Sequence, residues 1–132
     1  DRYEAQGKKL SLTKEYVVDL YNALEDNLPV YVGLVDGKRA SGVLNPRFGK
    51  TTHFWQGGGK PDVDVPINDL IHWEIINDSH NMGHRWYDLT GANTPRICRY
   101  KSKYNPELVS QYTIEKGVVG ANIAKKIYEH LI

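Results

Sequence analysis

Between His84 and Asn105 the chain gathers the groups best suited to chemistry. An apolar run, His84-Arg85-Trp86-Tyr87-Asp88-Leu89, delivers a carboxylate to a turn of small residues, Thr90-Gly91-Ala92. A basic segment with Arg96, Arg99, Lys101 and Lys103 follows, and no acidic residue falls between Asn93 and Asn105. A strand bringing a carboxylate to a glycine turn, beside a basic helix with two tyrosines, suits an anionic ligand that carries a carbonyl. The rival is a plain loop with a solvated basic face.

The spacing predicts a short helix from Thr94 to about Tyr104, with Thr94 as cap and Pro95 in the first turn. Arg96, Arg99 and Lys103 fall at i, i+3 and i+7 and make one basic stripe, for which a solvated face is favoured over phosphate binding. Ile97, Tyr100, Lys101 and Tyr104 make another face, which sets Lys101 among apolar and aromatic neighbours. Partial desolvation there would lower the lysine's pKa and strengthen charge donation to an oxyanion. The alternative is a lysine that lays its stem along the rings and keeps its head in water. Asp88 ends a strand expected in the middle of a sheet, and open α/β sheets bind ligands beyond the carboxyl ends of such strands. It can orient or deprotonate an amine, or simply bond backbone amides of the Gly91 turn.

Other candidates are weaker. Gln56-Gly57-Gly58-Gly59 invites a phosphate-loop interpretation, but no lysine and hydroxyl pair follows at P-loop spacing, so a flexible loop is favoured. Trp55 beside it could wall an acyl pocket, although strand tryptophans mostly belong to the core. Asn68 and Asp69 read first as helix caps and only then as ligand contacts. The five histidines, His53, His72, His80, His84 and His130, have no metal-ligand spacing, and no metal site is expected. Cys98 is expected to be a buried structural thiol.

These groups need a scaffold, and 132 residues allow one domain. A formal net charge of +1 gives no global field toward nucleic acid or membranes. A single cysteine excludes an internal disulfide and fits a reducing, cytoplasmic setting. No apolar run approaches the roughly 20 residues of a membrane span, so no membrane insertion is expected. The chain begins Asp1-Arg2-Tyr3 without methionine, so a fragment of a longer protein is expected.

Tyr16, Val17, Leu20, Tyr21 and Leu24 predict an amphipathic helix over about 13–26. Val30 to Val35 reads as a strand, Asp36-Gly37 as a hairpin turn and Ala40 to Leu44 as its partner. Phe48-Gly49-Lys50 is a second turn leading into a strand over Thr51 to Gln56, which Gly57-Gly58-Gly59 then breaks. A helix over Asn68 to Met82 is expected to bury most of Leu70, Ile71, Trp73, Ile75 and Ile76. Strand, helix and strand make a crossover, so Thr51–Gln56 and His84–Leu89 should run parallel. A strand over Leu108 to Ile114 and a helix over Val118 to Leu131 complete an α/β (α+β) mixed sheet with helices on both faces.

Three stretches are specific enough for a resemblance: Pro66-Ile67-Asn68-Asp69-Leu70-Ile71-His72-Trp73-Glu74, then Gly83 to Ala92, then Arg99-Tyr100-Lys101-Ser102-Lys103-Tyr104-Asn105 with Pro106 to Val109. In order and spacing, from about Thr13 to Ile114, they resemble the acetyltransferase-like (GNAT) domain of the Fem-type transferases. That family has an Asn-rich helix start, an Asp-Leu-Gly-Gly-Ala turn and a Phe-Lys-x-x-Phe-Gly-Gly stretch. The hairpin from Val35 to Leu44 also resembles that domain. The resemblance implies a GNAT-like fold with two parallel central strands splayed at their ends, opening a wedge for an acyl donor. It implies transfer of an aminoacyl group from charged tRNA, or an acyl group from a thioester such as acyl-CoA, to an amine of a small molecule or a cell-envelope peptide. Lys101 stands where the family has the lysine associated with the reacting carbonyl, and Tyr100 where it has phenylalanine. Thr90 replaces the first glycine of the turn, Tyr104-Asn105 replaces Phe-Gly, and the usual coenzyme A loop motif does not precede Asn68.

The expectation is therefore a C-terminal GNAT-like acyltransferase domain, residues 1–132, from a two-domain protein whose N-terminal half is a further partner. Lys101, Asp88 and Tyr100 are its expected catalytic groups. Trp55, Gln56, Asn68, Gly91, Arg96, Arg99, Lys103 and Tyr104 are the expected donor and acceptor contacts. No resident cofactor is expected. The alternatives are a catalytically silent module for acceptor binding or homodimerisation, and an RNA-binding module, against which the near-neutral charge argues.

Overall fold

The computed structural model describes residues 12–112 and residue 114. Helix α1 (Lys14–Leu24) begins where the Thr13 hydroxyl accepts a hydrogen bond from the Tyr16 backbone N–H at 3.1 Å. It ends at Glu25, whose φ of 47° turns the chain into a 3₁₀ segment, Glu25–Asn27. The expected apolar stripe is covered only in part. Val17, Leu20 and Leu24 are half-buried, while Tyr16 and Tyr21 are exposed.

Strands β1 (Val30–Val35) and β2 (Lys38–Leu44) form the expected hairpin, with Asp36 and Gly37 both at positive φ, as a two-residue primed turn requires. A short hairpin of β3 (Arg47–Phe48) and β4 (Thr51–His53) turns through Gly49, at φ 59°. The single strand expected over Thr51 to Gln56 instead changes partners. β4 lies between β3 and β6 (Trp86–Asp88), and β5 (Gln56–Gly59) leaves it to pair antiparallel with β2.

The three glycines therefore do not break the strand; they form it. A Cβ on Gly57 would come within 2.5 Å of the Gly42 carbonyl oxygen and 2.7 Å of the Val43 Cα. Glycine disfavours strands by propensity, but at Gly57 β5 approaches β2 too closely for a side chain.

Helix α2 (Ile67–Asn81) forms the crossover between β4 and β6, which pair parallel in the register Thr51↔Trp86, Thr52↔Tyr87, His53↔Asp88. Ile67, Ile71 and Ile75 pack with Ala40 and Val43 into the core. Leu70 and Trp73, expected inside, are 55% and 58% exposed. The helix covers the sheet with the Ile67–Ile71–Ile75 stripe, and Leu70 and Trp73 lie outside it. Asn68 and Asp69 do not cap this helix: its first turn starts at Pro66 without a side-chain cap. Asn68 Oδ1 instead accepts from the Ser41 hydroxyl at 2.6 Å, fastening α2 to β2.

Polar ties hold the helix to both parallel strands. The fully buried Thr52 hydroxyl accepts from Ser79 at 2.8 Å and contacts His84 Nδ1 at 2.8 Å. Thr52→Val keeps the volume and orphans both partners, so urea unfolding should show a loss of about 1–3 kcal/mol. An unchanged midpoint would show these bonds to be idle.

Helix α3 (Pro95–Ser102) is shorter than expected but capped as expected, with Thr94 Oγ1 accepting from the Ile97 N–H at 3.3 Å. The strand expected over Leu108 to Ile114 is not formed: residues 108–112 and 114 carry no regular structure, and Leu108, Val109, Tyr112 and Ile114 are 86%, 74%, 85% and 93% exposed. An apolar extended segment becomes a strand only by pairing with an edge, and none of the described edge strands pairs with it. The helix expected over Val118 to Leu131 lies outside the described residues. Over the described residues the architecture is a mixed α/β fold of two small sheets with three α-helices, consistent with a GNAT-like α+β fold.

Candidate active site

The parallel pair β4 and β6 stays in register as far as His53↔Asp88, and one more bond, Phe54 N–H to the Asp88 carbonyl at 2.8 Å, closes the ladder. Beyond it the strands part. The chain after Phe54 turns to β2 through Trp55, whose N–H donates to the Leu44 carbonyl at 3.2 Å, while the chain after Asp88 enters the Thr90 turn. A gap thus opens between β5 and the turn. β5 is an edge strand, so half of its backbone amides and carbonyls point away from β2 toward that gap.

Lys101 fills the turn side of the gap. Its ammonium donates to the carbonyl oxygens of Leu89 and Gly91, and to that of Thr90 at 3.1 Å, and it lies 6.0 Å from the centre of the Phe54 ring. Burial pulls its pKa below the ordinary lysine value, opposed by the nearby Asp88 charge. The ammonium has three N–H donors, and all three are engaged on backbone carbonyls. Thr90, at φ 57°, needs such an anchor to hold a left-handed turn in a β-branched residue.

Asp88 works at the same turn. Its Oδ1 accepts from the Thr90 N–H at 2.7 Å, and its Oδ2 lies 3.3 Å from His53 Nδ1. In the sequence His53 stands out only as a histidine without metal-ligand spacing; the signal of its position is its register opposite Asp88, which exists only once β4 and β6 pair.

An aromatic cluster sits behind Lys101. His72, 3% exposed, packs against Phe54, Tyr87, Tyr100 and Tyr104 with ring centroids 4.9–6.1 Å away, and its Nδ1 is 2.7 Å from the Tyr87 hydroxyl. Burial raises the hydroxyl pKa values of Tyr87 and Tyr100 well above the phenol range. Tyr100 and Tyr104 touch through their hydroxyls at 3.4 Å. Tyr104 also donates to Asp69 Oδ1 at 3.0 Å, and Lys103 donates to Asp69 Oδ2 at 2.7 Å while lying 4.4 Å from the Tyr100 ring centre. Burial alone would raise the Asp69 carboxyl, but the hydrogen bonds from Lys103 and the tyrosines prevail and hold it below its ordinary value. Lys103 thus leaves the expected basic stripe to clamp the end of α3 onto α2 while staying exposed, and Arg96 and Arg99 of that stripe are exposed on α3. Cys98, expected buried, is exposed, its thiol donating to the Ala92 carbonyl at 3.2 Å.

Burial pushes the His72 pKa down to about 4, so the ring is neutral at neutral pH. A folded-state pKa below the unfolded value of 6.5 stabilises the fold above pH 6.5, and that contribution is lost as pH falls toward 4. Partial screening reduces the full linkage to about 2 kcal/mol. Chemical unfolding at pH 7.5 and 5 should show this loss in the native chain and less of it in His72→Gln. Equal pH slopes in both proteins would assign the loss to other groups.

The site residues expected from the sequence divide by position. Lys101, Asp88 and Gly91 meet at the turn beside the gap, and Trp55 and Gln56 lie on its other lip. Tyr100, Tyr104 and Lys103 stand behind, on the α2 contact, and Asn68 points to β2 rather than to the gap. A groove of about 790 Å³ runs from Gln56 along Gly57–Gly59 beneath α1, walled by Val17, Val18 and Leu44. It lies on the sheet face away from α2, since Gly42 and Leu44 alternate with the core residue Val43. Its dimensions and apolar walls suit a hydrocarbon chain.

Among the described residues, no helix is long and apolar enough to cross a membrane. No curated protein matches the chain. A family model for the acetyltransferase (GNAT) domain matches residues 1–102, which takes in both sheets, the parting strands and Lys101. The chain belongs to the acetyltransferase (GNAT) domain family, whose general chemistry is acyl transfer.

Proposed function

We propose that this is a Fem-type N-acyltransferase domain that moves an acyl or aminoacyl group from acyl-CoA or aminoacyl-tRNA to the amine of a small molecule or peptide, a cell-envelope precursor being the chemistry the family resemblance favours. The observation that carries the proposal is the parting of β5 from the turn after β6, with Lys101 held at the opening. The donor carbonyl would lie in the gap, its chain along the groove past Gln56 and Gly57–Gly59. The desolvated ammonium of Lys101 then supplies positive potential to the oxyanion as the amine attacks. Its three carbonyl bonds keep it in place for this role and limit it to electrostatic help unless one of them opens. Asp88, bonded to the Thr90 N–H, places its carboxylate on the amine side of the reaction. Arg96 and Arg99, exposed on α3, suit donor or acceptor phosphates.

A second proposal rests on the same lysine. Three donors spent on the turn are also what a purely structural lysine shows, and this favours a catalytically silent module that binds an acceptor or a second copy. Incubating the full-length protein with radiolabelled acetyl-CoA or aminoacyl-tRNA and a panel of amine peptides separates the two. Label appearing in amide product supports the transferase; binding of acceptor peptide without label transfer from either donor supports the silent module.

A further inference from the structure

His53 and Asp88 are cross-strand partners at the last rung before β4 and β6 separate. Their placement is set by backbone pairing, not by flexible side chains. Thr52 and Tyr87, one residue earlier on each strand, reach Ser79 and His72 of α2. By the alternation of strand side chains, His53 and Asp88 project from the opposite face, the same side of the sheet layer as the groove. Both remain partly open to solvent, at 35% and 52% of their side chains.

Asp88 is committed on both oxygens. Oδ1 holds the Thr90 N–H at 2.7 Å and so cannot swing away, which leaves Oδ2 aimed at His53 Nδ1 at 3.3 Å. A carboxylate at Nδ1 fixes the proton on that nitrogen and leaves the lone pair on Nε2. A carboxylate that is itself bonded to the backbone and to an imidazole is a poor direct base, and the imidazole it orients is a good one.

We propose that His53 is the catalytic base of the acyl transfer and that Asp88 is the positioning residue that sets its tautomer. The inference rests on the acyltransferase function proposed above. The neutral amine attacks the donor carbonyl carbon, a C–N bond forms, and the carbonyl π pair moves to oxygen beside Lys101. Nε2 of His53 takes a proton from the now cationic nitrogen. The tetrahedral adduct collapses, the C–S or C–O bond to the donor breaks, and the imidazolium returns the proton to the leaving sulfur or oxygen. The products are an amide and a free thiol or hydroxyl, with the enzyme restored.

Two measurements test this in the full-length protein. Long-range ¹H–¹⁵N spectra of the imidazoles should show His53 as the Nδ1–H tautomer, and Asp88→Asn, which presents an N–H in place of the carboxylate, should shift it to Nε2–H. A His53 already in the Nε2–H form, or one indifferent to Asp88→Asn, overturns the dyad whether or not turnover is detectable. With acetyl-CoA as donor, or aminoacyl-tRNA where acetyl-CoA is not turned over, His53→Gln should lower kcat about 100-fold with KM little changed. Added imidazole should restore part of it. A loss below threefold, or a loss in KM alone, also overturns the role. Turnover with neither donor counts against the acyltransferase function, and the spectra still decide the dyad.

Discussion

Lys101→Met is expected to lower turnover of the full-length enzyme about 100-fold and to destabilise the domain by about 2 kcal/mol. Methionine keeps the length and apolar stem of the side chain and removes only the ammonium. What is lost first is the anchor of the Leu89, Thr90 and Gly91 carbonyls, all held by that one group. Each hydrogen bond to a charged group contributes about 1.5–3 kcal/mol where it is fully buried. The site is partly open to water, so screening cuts the sum to roughly 2 kcal/mol. Thr90 then has less to hold it at φ 57°, and the lip of the gap loosens. The catalytic loss is a separate quantity: removing one preorganised positive group at a developing oxyanion typically costs a factor of about 100–1,000. Urea unfolding and steady-state rates measured on the same variant distinguish the two. A stability loss with turnover retained within threefold would make Lys101 a strut of the turn and remove it from the chemistry.

Gly57→Ala should be the most damaging small substitution in the described chain. The added methyl would lie 2.5 Å from the Gly42 carbonyl oxygen, 2.7 Å from the Val43 Cα and 2.9 Å from a Val43 methyl. Backbone atoms of a paired strand cannot step aside as a side chain tip would, and φ of 154° is itself unfavourable for alanine. Relief requires β5 to lift from β2, at a cost of about 3 kcal/mol. A chain that still folds should lose the groove under α1, because Gly57 and Gly58 form its floor. Gly33→Ala is the useful contrast. Its methyl meets only the Ile67 and Ile71 side chains, at 2.5–3.0 Å, and these can rotate, so a smaller loss is expected. Equal denaturation midpoints for the two variants would show that β5 is not held against β2 as described.

Much of this fold is legible in one dimension because the responsible forces are local. Asp36-Gly37 makes a hairpin because both residues accept positive φ, and it does so wherever the strands lie. Thr94-Pro95 starts a helix because a hydroxyl and a fixed φ act within one turn. The parallel relation of β4 and β6 follows from strand, helix and strand in succession, since a crossover leaves little choice. Lys101 was recognisable among its apolar neighbours from the same helical period, and burial does depress its pKa.

Tertiary structure alone decided the rest, wherever a group's role depends on something far along the chain. Gly57–Gly59 looks like a break until β2 is laid against it, because propensity carries no information about how near another backbone comes. Leu108 and Val109 look like a strand until it is seen that no described edge receives them. Asn68 and Asp69 look like caps until Ser41, Lys103 and Tyr104 arrive from other elements. His53 carries no signal by itself; its partner is 35 residues away and meets it only through strand register. Short-range torsional and hydrogen-bond preferences wrote the elements into the sequence, and long-range packing chose which of their side chains would face one another.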